Sequence, residues 1–308
     1  MEINELNKNA NGGTELVTRG LLERLGNEFD GIQLITSRVR EIERGKKRIL
    51  HLQDLPEDPE AAHLSSALSR DRFDAIVFVS YWQMQQYMDK LGVPNNHKNF
   101  VIHNSYAPIP TIEKPKDKIR LIYTSTPHRG LEILVPVFEY LYERYPGQIE
   151  LDVFSSFNIY GWPERDRPYE QLFDRCRNHP GINYHGFQPN SVVREALQKA
   201  HIFAYPSIWK ETFCIAMAEA MSAKCVCVHS DLAALPEISA KLNVMYRYTD
   251  DINAHARTFM ESLDFVIQKH LSNDIDSLDF AKQYADSCYG WDTTILQWKS
   301  LIDFVKNA

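Results

Sequence analysis

Two α/β domains in tandem, each built on a parallel sheet, are what the 308 residues predict, and three observations predict them. Short β-rich runs alternate with helical patterns in the first third of the chain. A stretch rich in proline and charge interrupts the alternation, and a second, longer alternation follows it. Near the end of that second series a strand runs through a short loop into a helix, and two glutamates with seven residues between them sit on the crossing, Glu211 and Glu219. Alternation of this kind belongs to parallel sheets covered by helices.

The first series opens with GTELVTRGLLERLGNEF, an amphipathic pattern that places Leu16, Leu21, Leu22 and Leu25 inward. GIQLITS, RILHLQD, AIVFVS and FVIHNS read as strands, each ending in polar residues. YAPIPTIEKPKDK, from Tyr106 to Lys118, reads as a linker. The second series comprises IRLIYTS, a helix from Gly130 to Arg144, IELDVFSS, INYHG, a helix from Ser191 to Ala200, HIFAYPS, the helix carrying Glu219, and KCVCVHS. From Ile252 the tail is helical. Trp291, Ile295, Trp298 and Ile302 recur there at helical spacing and read as core anchors.

Composition narrows the function. Hydrophobic residues make up 44% and charged residues 24%, the balance of a globular chain. A net charge of -7 argues against nucleic acid as the main partner. The densest basic stretch, Ile35 to Arg48, is interrupted by Glu41 and Glu43. It reads as a solvated loop, with contact to an anionic acceptor or a membrane surface as the alternative. No apolar run is long enough for a transmembrane helix, and the polar start MEINELNKNANGG lacks the core of a signal peptide. The five cysteines are Cys176, Cys214, Cys225, Cys227 and Cys288, an odd number without C-x-x-C. Cys225 and Cys227 read as small buried hydrophobes, and a reducing cytoplasm fits best.

The glutamate pair carries most of the functional signal. With the helix opening near Thr212, Glu211 lies at its mouth and Glu219 two turns inside. The carboxyl end of a parallel strand and the start of the next helix form a ligand crevice, and free N–H groups there suit phosphate. Acidic residues also favour helix starts for their own sake, and a helical glutamate is commonly a solvated surface residue. Here Ala216, Met217, Ala218, Ala220 and Met221 surround Glu219 with small or apolar groups, so its carboxylate is expected to be partly buried and to need a partner.

At these residues the chain resembles a family. PSIWKETFCIAMAEAM followed by CVCVHSDLAALPEI is similar to the donor-site signature of glycosyltransferase family 4, the retaining GT-B enzymes. Asn11-Gly12-Gly13-Thr14-Glu15 resembles that family's glycine-rich loop. FDAIVFVSYWQMQQYMDKLGVP with VIHNS resembles the end of its first domain, IRLIYTSTPHRGLEIL the opening of its second, and INYHGFQPNSVVREAL the segment before the donor site. The resemblance implies two Rossmann-like domains facing a central cleft. Residues 1–108 are then the acceptor-side domain, 109–118 the linker, 119–290 the nucleotide-sugar domain, and 291–308 a helix packing back across the domain gap. Such domains usually start with a strand before the glycine loop. Only about ten polar residues precede Gly12 here, so the first domain reads as trimmed, with a reduced acceptor site or one completed by a partner.

The resemblance also implies chemistry: transfer of a hexosyl group, with retention, from a UDP- or GDP-sugar to a glycan, lipid or other hydroxyl acceptor, without metal or cofactor. Arg129 would neutralise the diphosphate, Glu211 touch the sugar hydroxyls, and Glu219 the ribose. The backbone from Thr212 through Phe213 and Cys214 to Ile215 would cap the phosphates, and Gly12 and Gly13 would approach them from the opposite domain. Asp54 matches the acid of the family's first-domain loop, with a helix-capping role as the alternative. Four positions depart from the pattern. Ser125 stands where a second cation is common, leaving Lys210 or His128 to replace it. Cys214 replaces a glycine, which narrows the permitted backbone angles. Gln53 replaces a histidine and can bond a sugar but take no proton. Asn104-Ser105 replaces Asn-Gly, with a turn role as the default. The rival readings are a nucleotide-sugar epimerase or hydrolase on the same fold, and a non-catalytic nucleotide-sugar-binding protein.

Overall fold

The computed structural model describes residues 12–308. The elements, in chain order, are α1 (Gly13–Leu25), β1 (Ile32–Thr36), β2 (Lys47–Leu52), α2 (Ala67–Arg70), β3 (Ala75–Phe78), α3 (Tyr81–Leu91), β4 (Asn99–Val101), β5 (Ile119–Thr124), α4 (Leu131–Arg144), β6 (Ile149–Phe154), α5 (Glu170–Asn178), β7 (Ile182–Tyr184), α6 (Asn190–Lys199), β8 (Ile202–Tyr205), α7 (Ile215–Ser222), β9 (Val226–Ser230), α8 (Leu235–Ser239), β10 (Val244–Tyr246), α9 (Ile252–Leu271), α10 (Asp279–Tyr289) and α11 (Trp291–Asn307). The chain divides into two compact units. One comprises Gly13–Ala107 with Ser287–Ala308, and the other contains Pro108–Asp286.

The first unit holds a four-stranded parallel sheet in the order β1-β2-β3-β4. All four residues of β3, Ala75–Phe78, are buried, as expected of a parallel strand covered on both faces. Ser80 starts α3 by accepting the Gln83 amide at 3.0 Å, and Gly92 ends it at φ 63°. On α1 the inward residues are Val17, Thr18, Gly20, Leu21 and Leu25. Leu16 and Leu22, expected inward, are only half-buried. The reason is Gly20. A Cβ there would lie 2.4 Å from Cζ2 of Trp291, so the closest approach of α11 sets the phase of α1. The Arg24 guanidinium lies 4.6 Å from the Trp291 ring. Trp291, Trp298 and Ile302 of α11 are buried, whereas Ile295 is half-buried and Thr294 takes the inner face.

The second unit holds a six-stranded parallel sheet in the order β10-β9-β8-β5-β6-β7. The chain builds outward from β5 through β6 to β7, then returns to the other side of β5 for β8, β9 and β10. The order therefore reverses between β5 and β8, whose register pairs Leu121 with Ile202 and Ile122 with Phe203. The Tyr106–Lys118 stretch contains no helix, and its one strand-like residue, Tyr106, is bridged to Gly290. It is nonetheless held. The Ile109 amide donates to Ser222 Oγ at 2.8 Å, and the Lys114 ammonium donates to the Ala200 carbonyl. Sequence patterning missed α5 and the short α8 and β10, the last only three residues long.

One glycine brings the loops after β5 and β8 together. Gly130 adopts φ 118°, and a Cβ on it would lie 2.2 Å from the Pro206 carbonyl oxygen. No L side chain fits, because the obstacle is backbone and the dihedral is one that only glycine adopts readily. Replacing Gly130 with alanine is expected to cost about 3 kcal/mol through strain and displacement of the Pro206 loop. Scanning calorimetry checks this, and an unchanged melting temperature would show that the close approach is dispensable.

Candidate active site

In an open parallel sheet, ligands bind beyond the carboxyl ends of the strands where the strand order reverses. In the second unit that point lies between β5 and β8. The loop after β5 makes one tight turn, Pro127–Arg129, before Gly130 and α4. The loop after β8 runs from Pro206 to Cys214 before α7. Arg129 ends the first turn and Glu211 lies in the second loop. Their side chains meet, with Arg129 Nη1 donating to Glu211 Oε1 at 2.6 Å.

Glu211 is 4% exposed. Its Oε1 accepts a second hydrogen bond, from the Tyr205 hydroxyl at 2.5 Å. Burial and the adjacent carboxylate push the Tyr205 phenol well above its ordinary pKa, so it stays protonated and donates. For Arg129, burial is the largest influence and opposes the charge, but the Glu211 carboxylate together with Tyr160, Tyr205 and Cys214 outweighs it, and the guanidinium is held firmly protonated. Arg129 Nη2 reaches the Tyr160 hydroxyl at 3.3 Å. Its Nε is buried and has no hydrogen-bond partner among the described residues. Thr126 Oγ1 and Ser155 Oγ, just beyond β5 and β6, are likewise buried without partners among the described residues. Buried polar groups ordinarily have one, so this strand edge offers hydrogen-bonding capacity to a ligand.

The helix expected near Thr212 starts at Ile215. Cys214, at φ −94° and ψ 89°, is its non-helical cap residue. These are ordinary angles for an L-residue, so cysteine in place of glycine imposes no strain there. The later start puts Glu219 one turn inside α7, not two. Thr212 and Ile215 are half-buried, while Phe213 and Cys214 are buried.

Glu219 is 6% exposed, and its expected partner exists. Arg194 Nη1, from α6, donates to Glu219 Oε1 at 2.6 Å, and Arg194 Nη2 reaches the Pro108 carbonyl at 3.2 Å. Burial raises the Glu219 pKa, against the pull of Arg194 and a hydrogen bond from Asn190. Each glutamate of the pair is thus clamped by its own arginine.

Of the other expected donor residues, Ser125 is half-buried and Lys210 exposed beside Glu211. His128 stacks on Phe157 (centroids 5.2 Å, 14° apart). Burial, then the charges of Arg129 and Arg165, bring its pKa down to about 4. In the unliganded protein its imidazole is therefore neutral at neutral pH. Asp251 caps α9 by accepting from the Asn253 and Ala254 amides. Of the glycine-rich loop, Gly12 is buried and Gly13 opens α1, while Asn11 lies outside the described residues.

The remaining candidates lie in the first unit. Asp54 follows β2. Its carboxyl pKa is raised by burial, opposed by a hydrogen bond with Ser37. The capping role considered for Asp54 belongs instead to Asp58, which accepts the Glu60 amide at 2.9 Å. The Gln53 side chain is engaged. Gln53 and Asn104 exchange two amide hydrogen bonds, Nε2 to Oδ1 at 2.9 Å and Nδ2 to Oε1 at 2.8 Å, and Gln53 Nε2 also lies 2.9 Å from His51 Nε2. This pair ties the end of β2 to the end of β4, so a turn role for Asn104 and a sugar bond from Gln53 both give way to a structural one. Ser105 donates to Thr294 of α11 at 2.6 Å. The basic stretch after β1 is largely paired, Arg38 with Asp58, Arg40 with Glu60 and Lys47 with Asp74.

Sequence reading missed Tyr205, Tyr160, Arg194 and Asn190. Tyr205 closes a strand of hydrophobic residues and reads as core. Arg194, in SVVREAL, reads as the solvent face of a helix. Only the need of Glu219 for a counter-charge pointed toward such a residue.

Residues 120–263, all in the second unit, match the family profile described as Glycosyl transferases group 1. A search of curated proteins finds no match. Among solved structures, the fold is similar to that of Anabaena HepE in complex with UDP and glucose (TM-score 0.66, 13% identity, covering 84% of this chain and 72% of that one). It is similar to a glycosyltransferase from Rickettsia africae (0.69, 12%, covering 100% and 85%). It is also similar to the pneumococcal O-GlcNAc transferase GtfA in complex with UDP and GlcNAc (0.62, 11%, covering 94% and 60%). At such identities the structural likeness shows the fold, which is GT-B with two Rossmann-like sheets. With the matching domain, the chain is a glycosyltransferase. No helix among the described residues is long and apolar enough to cross a membrane.

The Arg194–Glu219 clamp gives a pH-dependent expectation. In Arg194→Met only burial acts strongly on Glu219, so the folded state binds a proton more tightly than the unfolded one, and stability rises as pH falls through the raised pKa. The variant should lose about 3–5 kcal/mol at neutral pH, the cost of an orphaned buried charge, and regain part of it as the pH is lowered from neutral through the raised pKa. Melting curves across that range check this, and a loss independent of pH would assign Arg194 a packing role only.

Proposed function

We propose that the chain transfers a hexosyl group, with retention, from a UDP- or GDP-sugar to a hydroxyl acceptor on a glycan, a lipid or another molecule, without a metal ion. The observation that carries this is the Arg129 guanidinium, held by Glu211 at the reversal point of the sheet with its Nε donor unpartnered among the described residues, inside a glycosyltransferase domain. A fixed guanidinium with donors to spare suits a diphosphate. Because Arg129 shares its charge with Glu211, a second cation is needed, and Lys210 supplies it. The backbone from Thr212 to Ile215, at the start of α7, completes the phosphate cap.

Glu211 Oε1 already accepts two hydrogen bonds, so Oε2 takes the sugar hydroxyls. Glu219 receives the ribose hydroxyls, held in place by Arg194. As the anomeric C–O bond breaks, negative charge grows on the diphosphate beside Arg129, and positive charge grows on the sugar beside Glu211. The acceptor hydroxyl attacks from the face the leaving group departs, and its proton passes to the leaving phosphate oxygen, so no enzyme base is required. The five free cysteines support a cytoplasmic setting.

Arg129→Ala should weaken UDP or GDP binding by about 1.5–3 kcal/mol, the worth of a charge-assisted hydrogen bond, and leave uridine or guanosine unaffected. Calorimetric titration of each pair checks this, and equal losses for nucleotide and nucleoside would take Arg129 out of the phosphate site.

The two glutamates should separate kinetically. Glu219→Gln raises donor KM with a smaller effect on kcat, because the ribose is remote from the reacting bond. Glu211→Gln lowers kcat by about 10²-fold with little change in nucleoside diphosphate affinity. The opposite pattern would reverse the two assignments. Turnover should also survive EDTA, and activity lost to chelation and restored by Mn²⁺ would overturn the metal-free mechanism.

A further inference from the structure

Trp209 has no place in the chemistry so far. It lies two residues before Glu211, in the loop after β8, and is 44% exposed. Its surroundings hold it still. The Ser207 hydroxyl accepts the Trp209 amide at 3.2 Å and donates to the Trp209 carbonyl at 3.0 Å. The indole meets the His128 imidazole at 86°, with centroids 4.8 Å apart. His128 in turn stacks on the buried Phe157. His128 directly precedes Arg129, so the indole is braced by the same turn that presents the guanidinium. A large aromatic surface left partly in water but fixed in orientation suits a ligand with one apolar face. The other exposed tryptophan nearby, Trp162, differs because the Arg165 guanidinium already lies 4.4 Å over its ring.

We propose that Trp209 is a stacking platform for a pyranose ring, engaging its C–H face while Glu211 takes the hydroxyls at its rim. A pyranose offers both surfaces on one ring, and the adjacency of indole and carboxylate in one loop matches that combination. A nucleobase is flat as well, but the proposed function puts the nucleoside at the Glu219 and Arg194 end. The inference rests on that reading. The ring belongs either to the donor hexose or to a sugar acceptor.

The test compares wild type, Trp209→Phe and Trp209→Ala, each first checked for an unchanged melting temperature. Binding of uridine, UDP, UDP-glucose, UDP-GlcNAc and GDP-mannose is measured by calorimetry. Methyl α-glucoside and methyl α-mannoside are then titrated into the UDP-saturated protein. If the donor ring stacks, Trp209→Ala weakens the preferred nucleotide sugar by about tenfold, leaves UDP within error, and Trp209→Phe recovers much of the loss. If an acceptor ring stacks, the nucleotide sugars are unaffected and methyl glycoside binding falls instead. Equal loss for uridine and UDP would show a nucleobase platform and overturn the proposal, as would no change with any ligand. Wild-type protein that binds none of these nucleotides would refute the proposed function itself, and the platform with it. Binding that is intact but indifferent to Trp209 refutes the platform alone.

Discussion

The contact between Gly130 and the Pro206 carbonyl is the constraint on which the site depends. It exists because the strand order reverses between β5 and β8, which puts the loops after these strands side by side. Without a Cβ at position 130 the two loops approach to backbone contact, and Arg129 then falls within 2.6 Å of Glu211. An ion pair this buried adds little stability by itself, because desolvation of both charges offsets their attraction. What it contributes is orientation. Tyr205 and Tyr160 finish the arrangement from opposite partners, one on the carboxylate and one on the guanidinium. A second clamp of the same kind, Arg194 on Glu219, fixes the other acidic group one turn into α7.

The first unit shows how a polar cluster at strand ends can serve structure. Gln53 and Asn104 satisfy each other across β3, and His51 packs edge-on against Trp298 of α11 with centroids 5.1 Å apart. Burial holds the His51 pKa near 3, so it remains neutral and can accept from the Gln53 amide. These groups join the last helix to the sheet. Asp54 stands apart from them, half-buried and with its pKa raised by burial, which leaves it the acidic candidate of the loop after β2.

Strands were legible in the sequence because buried parallel strands are continuous hydrophobic runs, as in AIVF and IRLIYT. The long helices were legible from periodicity. The three-residue β10 and the five-residue α8 were missed, although β4 and β7, each three residues long, were read as strands. The phase of α1 was misread because its determinant, the ring of Trp291, belongs to the last helix of the chain, far from Gly20 in sequence. At the site, Glu211, Glu219 and Arg129 stood out by type and spacing, and the apolar surroundings of Glu219 announced a missing partner. That partner, Arg194, was invisible as such, since nothing local distinguishes an arginine that reaches inward from one in solvent. The non-helical turn at Cys214, which shifts Glu219 by a turn, depends on the backbone between Glu211 and α7, where the Glu211 carbonyl accepts the Ala234 amide at 3.2 Å.

The Arg129–Glu211 pair is proposed to receive the diphosphate and the sugar of a nucleotide sugar. A crystal structure of the protein soaked with UDP-glucose or GDP-mannose tests it most directly. Diphosphate oxygens are expected within hydrogen-bonding distance, about 2.7–2.9 Å, of the Arg129 guanidinium, with the hexose against Glu211. A diphosphate bound elsewhere on the chain, with Arg129 still turned only to Glu211 and Tyr160, would contradict it.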